Sequence, residues 1–318
     1  MLKQQNAIIG HENIIAYLDK VVEQKSTAHA YIFSGLANVG KKTVLESFIN
    51  KLLCDDRCQV TLKNKADQTY SDFFYLEAEE DKKNISIKQV RELIHSLSLT
   101  SFSNNTKIAV INNAEKLNSA SSNALLKVLE EPSSNTIIFL LTTDCTQLLE
   151  TIQSRSVIIR FYPVSQKKIE TYVKEHAGVL SHSDLESIVA LSFGRPGLAV
   201  GYLTNDEKFA KIKERTNELF DVMGKPLHQQ FSFIKEHAKN EADVVTLLQL
   251  LFRDILAIKA NSPELVVHHF ALEKLRELAT HYSIDEIVKI IERLQEFYDA
   301  QKYNINSTLF LENIFLHA

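Results

Sequence analysis

The sequence has few cysteines, no surplus of positive charge and no long apolar run, and each of these shortages excludes a class of protein. Three cysteines, Cys54, Cys58 and Cys145, are too few for a disulfide framework, which indicates a reducing compartment. With 36 basic and 40 acidic side chains the net charge is −4, so no overall positive field attracts nucleic acid. No signal peptide and no apolar run of membrane-spanning length are present. We therefore expect a cytoplasmic protein that does not bind membranes.

Cys54 and Cys58 could supply two ligands of a zinc site, but no further cysteine or histidine follows them at ligand spacing. Structural zinc sites use four ligands of these types. We therefore predict that both residues are free thiols and that the protein binds no zinc.

Glycine is also scarce, yet two of the eight glycines stand in one ten-residue stretch, SGLANVGKKT at 34–43. Gly35, Gly40 and Lys41 form the spacing Gly-x4-Gly-Lys, with a strand-like apolar run before it and a helical pattern after it. This is the context of a phosphate-binding loop, in which backbone amides, a helix N-terminus and a lysine attract an anion. The alternative is a plain strand–turn–helix whose glycines only make the turn.

The residues that would hold magnesium beside such a loop differ from those a hydrolase needs. The residue after the loop lysine should carry a hydroxyl, but it is Lys42, and Thr43 comes one place later. The third predicted strand ends in Asn112 and Asn113 where Asp-Glu is expected, and a neutral amide binds a divalent ion poorly and cannot act as a base. Glu115 lies two places too far along to replace Asn113 without a shift in geometry. The residues favour descent from a hydrolase that has lost its chemistry; the alternative is a protein that never was one.

The hydrophobic pattern predicts an α/β fold that is followed by an all-helical region. Strand-like runs alternate with segments of helical spacing, at 30–33, 73–76, 107–112, 136–141 and 157–161. Such alternation implies a parallel five-stranded sheet between helical layers, with ligands bound beyond the carboxyl ends of the strands.

After residue 162 the strand pattern stops, and this change is the clearest domain boundary in the chain. The helical pattern that continues to residue 318 contains two strong apolar stripes, at 245–258 and 287–297. We interpret the stripes mainly as core, with a smaller share for a subunit interface.

The order of the motifs closely resembles that of the clamp-loader subunits of bacterial DNA polymerase III, which belong to the AAA+ superfamily. The most diagnostic part is NALLKVLEEP at 123–132, followed by LLTTD at 140–144, Ser154-Arg155-Ser156 and Gly194-Arg195-Pro196. The resemblance extends from Ile8 to about Leu203 and continues more loosely over the C-terminal helices. It implies an AAA+ domain over 1–162, a helical lid over 163–207 and a helical collar over 208–318.

The resemblance also implies roles for single residues. Arg155 would be an arginine finger that acts in trans on a neighbouring subunit's nucleotide, and this chain would have no catalytic residue of its own. The remaining residues would be the degenerate traces of its own site. They are Gly35, Gly40, Lys41, Lys42 and Thr43 in the loop, Asn112 and Asn113 in the Walker B position, and the sensor-like Thr142, Thr143 and Arg195.

The partners implied are the gamma/tau and delta types of clamp-loader subunit, the sliding clamp and, through the assembly, primed DNA. No cofactor is required, and residual binding of ATP or ADP stays open. Many relatives carry a four-cysteine zinc module, but only Cys54 and Cys58 fall in that region here, which again predicts no zinc. The family's Ser-Arg-Cys motif has Ser156 as its third residue in this chain.

Within the family, the double asparagine and Lys42 point to a non-hydrolysing subunit. Two alternatives remain beside this interpretation. The main alternative is an active gamma/tau-like ATPase in which Thr43 and Glu115 act as displaced ligands. A stand-alone DNA-binding protein is disfavoured, because the chain is acidic and has no basic stripe.

Overall fold

The computed structural model describes residues 8–53, 60–62, 72–79, 82–99, 106–132, 135–178, 180–223, 225–226, 228–232, 241–300 and 312–313. Contacts between residues divide the chain into two compact units. Unit 1 comprises Met1–Lys168 together with Gly194–Gly197, and unit 2 comprises Ile169–Phe193 and Leu198–Ala318. The domain boundaries inferred from the sequence, after residues 162 and 207, stay predictions.

Unit 1 contains a parallel five-stranded sheet in the order β2-β3-β4-β1-β5. Its strands are β1 Ala30–Ser34, β2 Phe73–Leu76, β3 Lys107–Asn112, β4 Thr136–Thr142 and β5 Val157–Arg160. All five strands were expected, and the bounds of β2 and β3 agree with the expected ones. Ser34 pairs with Thr142 on one side and with Arg160 on the other, so the carboxyl ends of three strands lie at one edge.

Both faces of the sheet are covered, which explains why the strands are continuous apolar runs. The helices of this unit are α1 Glu12–Glu23, α2 Lys41–Leu53, α3 Ile87–Ser98, α4 Ser119–Glu130 and α5 Glu150–Gln153. Side chains alternate between the faces along a strand. In β1, Tyr31 and Phe33 enter one core with Phe48 and Phe139, whereas Ile32 enters the other. The predicted α/β fold is thus confirmed.

The helices that follow β5 form the rest of the described chain. They are α6 Gln166–His176, α7 His182–Leu191, α8 Pro196–Thr204, α9 Asp206–Met223, α10 Glu241–Lys259, α11 Leu272–His281 and α12 Ile284–Ala300. The two apolar stripes lie on α10 and α12, and their residues share one core: Val245, Leu248, Phe252 and Ile255 pack with Ile287, Ile290 and Leu294. The stripes therefore form the core between α10 and α12. Within the ranges given above, no helix is long and apolar enough to span a bilayer.

Candidate functional site

The glycine-bearing loop connects the carboxyl end of β1 to the amino end of α2, where the sequence predicts it. Gly35 donates its N–H to the carbonyl of Thr142 at 3.2 Å. A Cβ at Gly35 would lie 2.4 Å from the carbonyl oxygen of Phe161, so a residue with a side chain does not fit here. Asn38 and Gly40 have positive φ angles of 63° and 113°, which curl the chain into the helix. The loop is therefore tightly held by the neighbouring strands.

Lys41 is the first residue of α2, and its side chain folds back over the loop. Its Nζ donates to the carbonyl of Gly35 and, at 3.0 Å, to that of Leu36. Burial, together with the like charge of Lys42, lowers the pKa of Lys41 to about 8, and the opposite charge of Glu115 acts against this shift. The loop lysine is thus partly desolvated and interacts electrostatically with Glu115.

Lys42 and Thr43 occupy the next two positions of the helix. The Nζ of Lys42 lies 5.8 Å from the centre of the Tyr75 ring, which is a cation–π distance. Lys42 is exposed and Thr43 is half-buried. An ammonium group therefore extends toward β2 from the position where a phosphate-loop hydrolase carries its metal-binding hydroxyl.

The end of β3 forms a polar cluster with the end of β2. Asn112 is buried, and its Nδ2 donates to Oε2 of Glu77 at 3.2 Å. The hydroxyl of Tyr75 donates to the same oxygen at 3.1 Å. Burial, with the neighbouring Glu77 carboxylate, raises the pKa of Tyr75. The sequence interpretation missed Glu77, although its place directly after β2, the neighbour of β3, is a signal that could have found it.

Asn113 begins the turn that brings Glu115 to the site. It has a left-handed conformation, with φ at 53°, and starts the short 3₁₀ helix Ala114–Lys116. Oε1 of Glu115 accepts from the hydroxyl of Thr143 at 2.9 Å and from its N–H at 3.4 Å. This turn places the Glu115 carboxylate against Thr143, just beyond the carboxyl end of β4.

The two threonines at the end of β4 differ in what they contact. Thr143 is exposed and binds Glu115, as described above. Thr142 is buried, and its hydroxyl donates to the carbonyl of Asp144 at 2.9 Å. Of these two sensor-like residues, Thr143 is the one whose side chain meets the other polar groups of the site.

The segment that carries Arg195 lies against the glycine loop. Gly197 donates its N–H to the carbonyl of Asn38 at 2.8 Å, and Gly194 accepts from the N–H of Val164 at 2.7 Å. Gly194 has a φ of 72°, and a Cβ there would lie 2.7 Å from a side-chain carbon of Pro163. The half-buried Arg195 is therefore fixed through its backbone neighbours at the loop side of unit 1.

Arg155 lies at the opposite edge of the sheet from the loop. It precedes β5, whose first residue, Val157, pairs with Tyr31 near the beginning of β1. Gly35 follows the last residue of β1, four residues beyond Tyr31. At about 3.3 Å per residue, roughly 13 Å of strand separates the two levels. Arg155 is therefore far from this chain's own loop along the strand direction.

The guanidinium of Arg155 is held at the surface by α4 and α5. Nη2 lies 3.1 Å from Oε1 of Glu130, and the two side chains are 37% and 50% exposed. Nη1 donates to the carbonyl of Thr151 at 3.1 Å and to the hydroxyl of Ser154 at 3.4 Å. A guanidinium has five N–H donors, more than these three contacts with described residues require.

The described residues contain no group of three or more His, Cys, Asp or Glu side chains that could hold a metal ion. Cys145 is buried and is a free thiol. Cys54 and Cys58 lie outside the described residues, so the absence of zinc stays a prediction.

Two family models match this chain. The model of "DNA polymerase III, delta subunit" matches residues 10–165, and that of "DNA polymerase III, delta subunit, C terminal" matches residues 207–318. Among similar proteins, DNA polymerase III subunit delta′ of Bacillus subtilis is 24% identical over 315 residues, which cover 95% of this chain and 94% of the relative. Subunit delta′ of Pseudomonas aeruginosa is 37% identical over 141 residues, 41% of this chain and 42% of the relative.

The fold is similar to that of a solved DNA polymerase III gamma subunit-related protein from Thermotoga maritima. The TM-score is 0.50 at 20% identity, over 95% of this chain and 98% of the other. With the strand order described above, this likeness confirms the predicted AAA+ fold. Subunit tau of Bacillus subtilis is also similar, at 23% identity over 96% of this chain and 59% of the relative.

Proposed function

This chain belongs to the family of bacterial DNA polymerase III delta-prime subunits, and on that premise we propose that it is a non-hydrolysing subunit of the replicative clamp loader. One observation carries the proposal: neither position that should bind magnesium has a side chain suited to it. Asn112 donates its amide to Glu77, and Lys42 places an ammonium where a hydroxyl is needed. Magnesium prefers oxygen ligands and usually takes them from carboxylates and phosphates.

Loss of the magnesium ligands is expected to abolish ATP turnover, because magnesium neutralises the charge that develops on the transferring phosphoryl group. The loop nevertheless keeps Gly35, Gly40 and Lys41, so an anion could still bind there. A retained phosphate loop without magnesium ligands fits a subunit that resembles its ATPase partners but does not hydrolyse ATP.

Arg155 then acts in trans on the nucleotide of a neighbouring subunit. Three features of Arg155 support this role: it lies far from the chain's own loop, it is partly exposed, and it has more N–H donors than its contacts with described residues require. A guanidinium is always charged and binds phosphate oxygens with two parallel hydrogen bonds. The exposed ion pair with Glu130 is worth at most about 1 kcal/mol, so it does not prevent Arg155 from reaching a phosphate.

The assembly in which this happens contains gamma/tau and delta subunits within the DNA polymerase III holoenzyme, and it loads the sliding clamp on primed DNA. The C-terminal helices, from about residue 208, hold the subunits in a ring. Similarity to subunits named delta′ and tau supports this placement. The net charge of −4 fits a subunit that reaches DNA only through the whole assembly.

ATP turnover by the purified chain tests the loss of hydrolysis. We expect no magnesium-dependent release of phosphate above that of a blank without protein. The control is a purified gamma/tau-type ATPase from the same preparation scheme, which should turn over. Magnesium-dependent turnover by this chain alone would contradict the proposal.

The second candidate function, an active gamma/tau-like ATPase, is favoured by a different observation. Glu115 reaches the end of β4, binds Thr143 and interacts with Lys41, so an acid is present beside the loop. If this acid served hydrolysis together with Thr43, Glu115→Gln would abolish the turnover that the wild-type chain shows.

A further inference from the structure

Glu115 has a buried oxygen that the site described above leaves unexplained. Its Oε2 is shielded from solvent and has no hydrogen-bond partner among the described residues. A buried carboxylate oxygen without a partner is costly, because the charged group has given up its hydration. Most buried polar atoms are satisfied, so an exception at a candidate site calls for a functional account.

Thr143 binds this carboxylate and Lys41 interacts with it electrostatically, and both are groups that a nucleotide's terminal phosphate would contact. Lys41 stands where the lysine of a phosphate loop reaches the β- and γ-phosphates. Thr143 directly follows β4, the strand beside β1, and its hydroxyl and N–H both donate to Oε1 of Glu115. The left-handed Asn113 is what turns the acid into this position.

We propose that the Glu115 carboxylate is a built-in anion that takes the place of a terminal phosphate between Lys41 and Thr143. The ligand that the loop would accept is therefore a nucleoside diphosphate, and a triphosphate is selected against. This inference rests on the proposed function, because it treats the loop as a site that binds without hydrolysing.

Electrostatics explains the selection. The favourable interaction of Glu115 with Lys41 partly neutralises the charge that would attract a third phosphate. A γ-phosphate in this position would also meet the carboxylate as a like charge, in a partly buried site where screening by water is weak. A diphosphate ends before this position, so its binding to the loop amides is less affected.

Binding of ADP and of ATP to the purified full chain, measured by titration calorimetry in EDTA, tests the proposal. Without magnesium no turnover occurs, so the result does not depend on whether the chain is an ATPase. We expect the wild-type chain to bind ADP at least about tenfold more tightly than ATP, which corresponds to about 1.4 kcal/mol. Glu115→Gln keeps the shape and removes the charge, and it should raise the affinity for ATP about tenfold with little change for ADP.

Two further variants keep the test decisive. Glu92→Gln removes the same charge from an exposed position on α3 and should leave both affinities unchanged. Glu115→Asp keeps the charge and should retain the preference for ADP, which answers the concern that the glutamine variant is misfolded. Equal affinities of the wild-type chain for ADP and ATP, absence of ADP binding, or an unchanged affinity of Glu115→Gln for ATP would each overturn the proposal. Turnover of ATP with magnesium would instead contradict the proposed function.

Discussion

Replacement of Arg155 by alanine separates a role in trans from a role in the chain's own site. The side chain is 37% exposed, and it makes one exposed ion pair and two hydrogen bonds to α5 and the turn that follows it. An exposed ion pair contributes at most about 1 kcal/mol, and surface substitutions usually cost less than about 0.5 kcal/mol. We therefore expect Arg155→Ala to leave the free energy of unfolding almost unchanged.

The expected effect of Arg155→Ala is instead a loss of activity in the assembled clamp loader. Arginines that act on a neighbour's nucleotide in GTPases contribute roughly 10³–10⁵ in rate, because they neutralise charge in the transition state. One variant subunit removes this contribution from one interface, so the complex should lose the turnover of that site and load clamps more slowly. Lys41→Ala should have a much smaller effect, because the proposed function assigns no hydrolysis to this chain's own loop.

The assay is DNA-stimulated ATPase and clamp loading by complexes rebuilt with each variant. Arg91→Ala is the matched control, because Arg91 is an exposed arginine on α3 of the same unit. Incorporation of each variant is checked by gel filtration, so that loss of rate is not confused with loss of assembly. A larger loss for Lys41→Ala than for Arg155→Ala would refute the reasoning.

Two further predictions concern the loop of the isolated chain. Gly35→Ala should lower the free energy of unfolding by roughly 1–3 kcal/mol, because its Cβ would lie 2.4 Å from the Phe161 carbonyl oxygen; an unchanged thermal midpoint would contradict this. The pKa of Lys41 is lowered to about 8, so above that pH the folded chain releases a proton that the unfolded chain keeps. Lys41 should therefore make a contribution to the free energy of unfolding that rises between about pH 8 and the ordinary lysine pKa near 10.4. Urea titrations at each pH measure this rise, and Lys41→Met should remove it.

The sequence predicted the fold well because the strands of unit 1 are buried on both faces. Such strands read as continuous apolar runs, which is why β3 was expected at the bounds observed, Lys107–Asn112. The loop, with Gly35 and Gly40, was equally clear, since few residues other than glycine fit its turn and its close contact with β5.

Side-chain partners across the sheet edge could not be predicted in the same way. Glu77 is 35 residues from Asn112 in the chain, and the hydrogen bond between them depends on the pairing of β2 with β3. The sequence offers Glu115 only as a displaced ligand that needs a shift in geometry, because nothing in the local pattern indicates that Asn113 adopts a left-handed turn. The side-chain contacts of both acids are therefore decided only in the folded chain.

What the sequence determined by itself is the set of elements and the residue types at the positions where a phosphate-loop hydrolase binds magnesium. Lys42, Asn112 and Asn113 predict that these positions do not bind magnesium, because the residue type limits which side chains can bind this ion. The tertiary structure decided which charges meet. Parallel pairing brings the carboxyl ends of β1, β3 and β4 to one edge, where Glu115 interacts electrostatically with Lys41. Arg155 lies at the other edge, partly exposed and paired with Glu130.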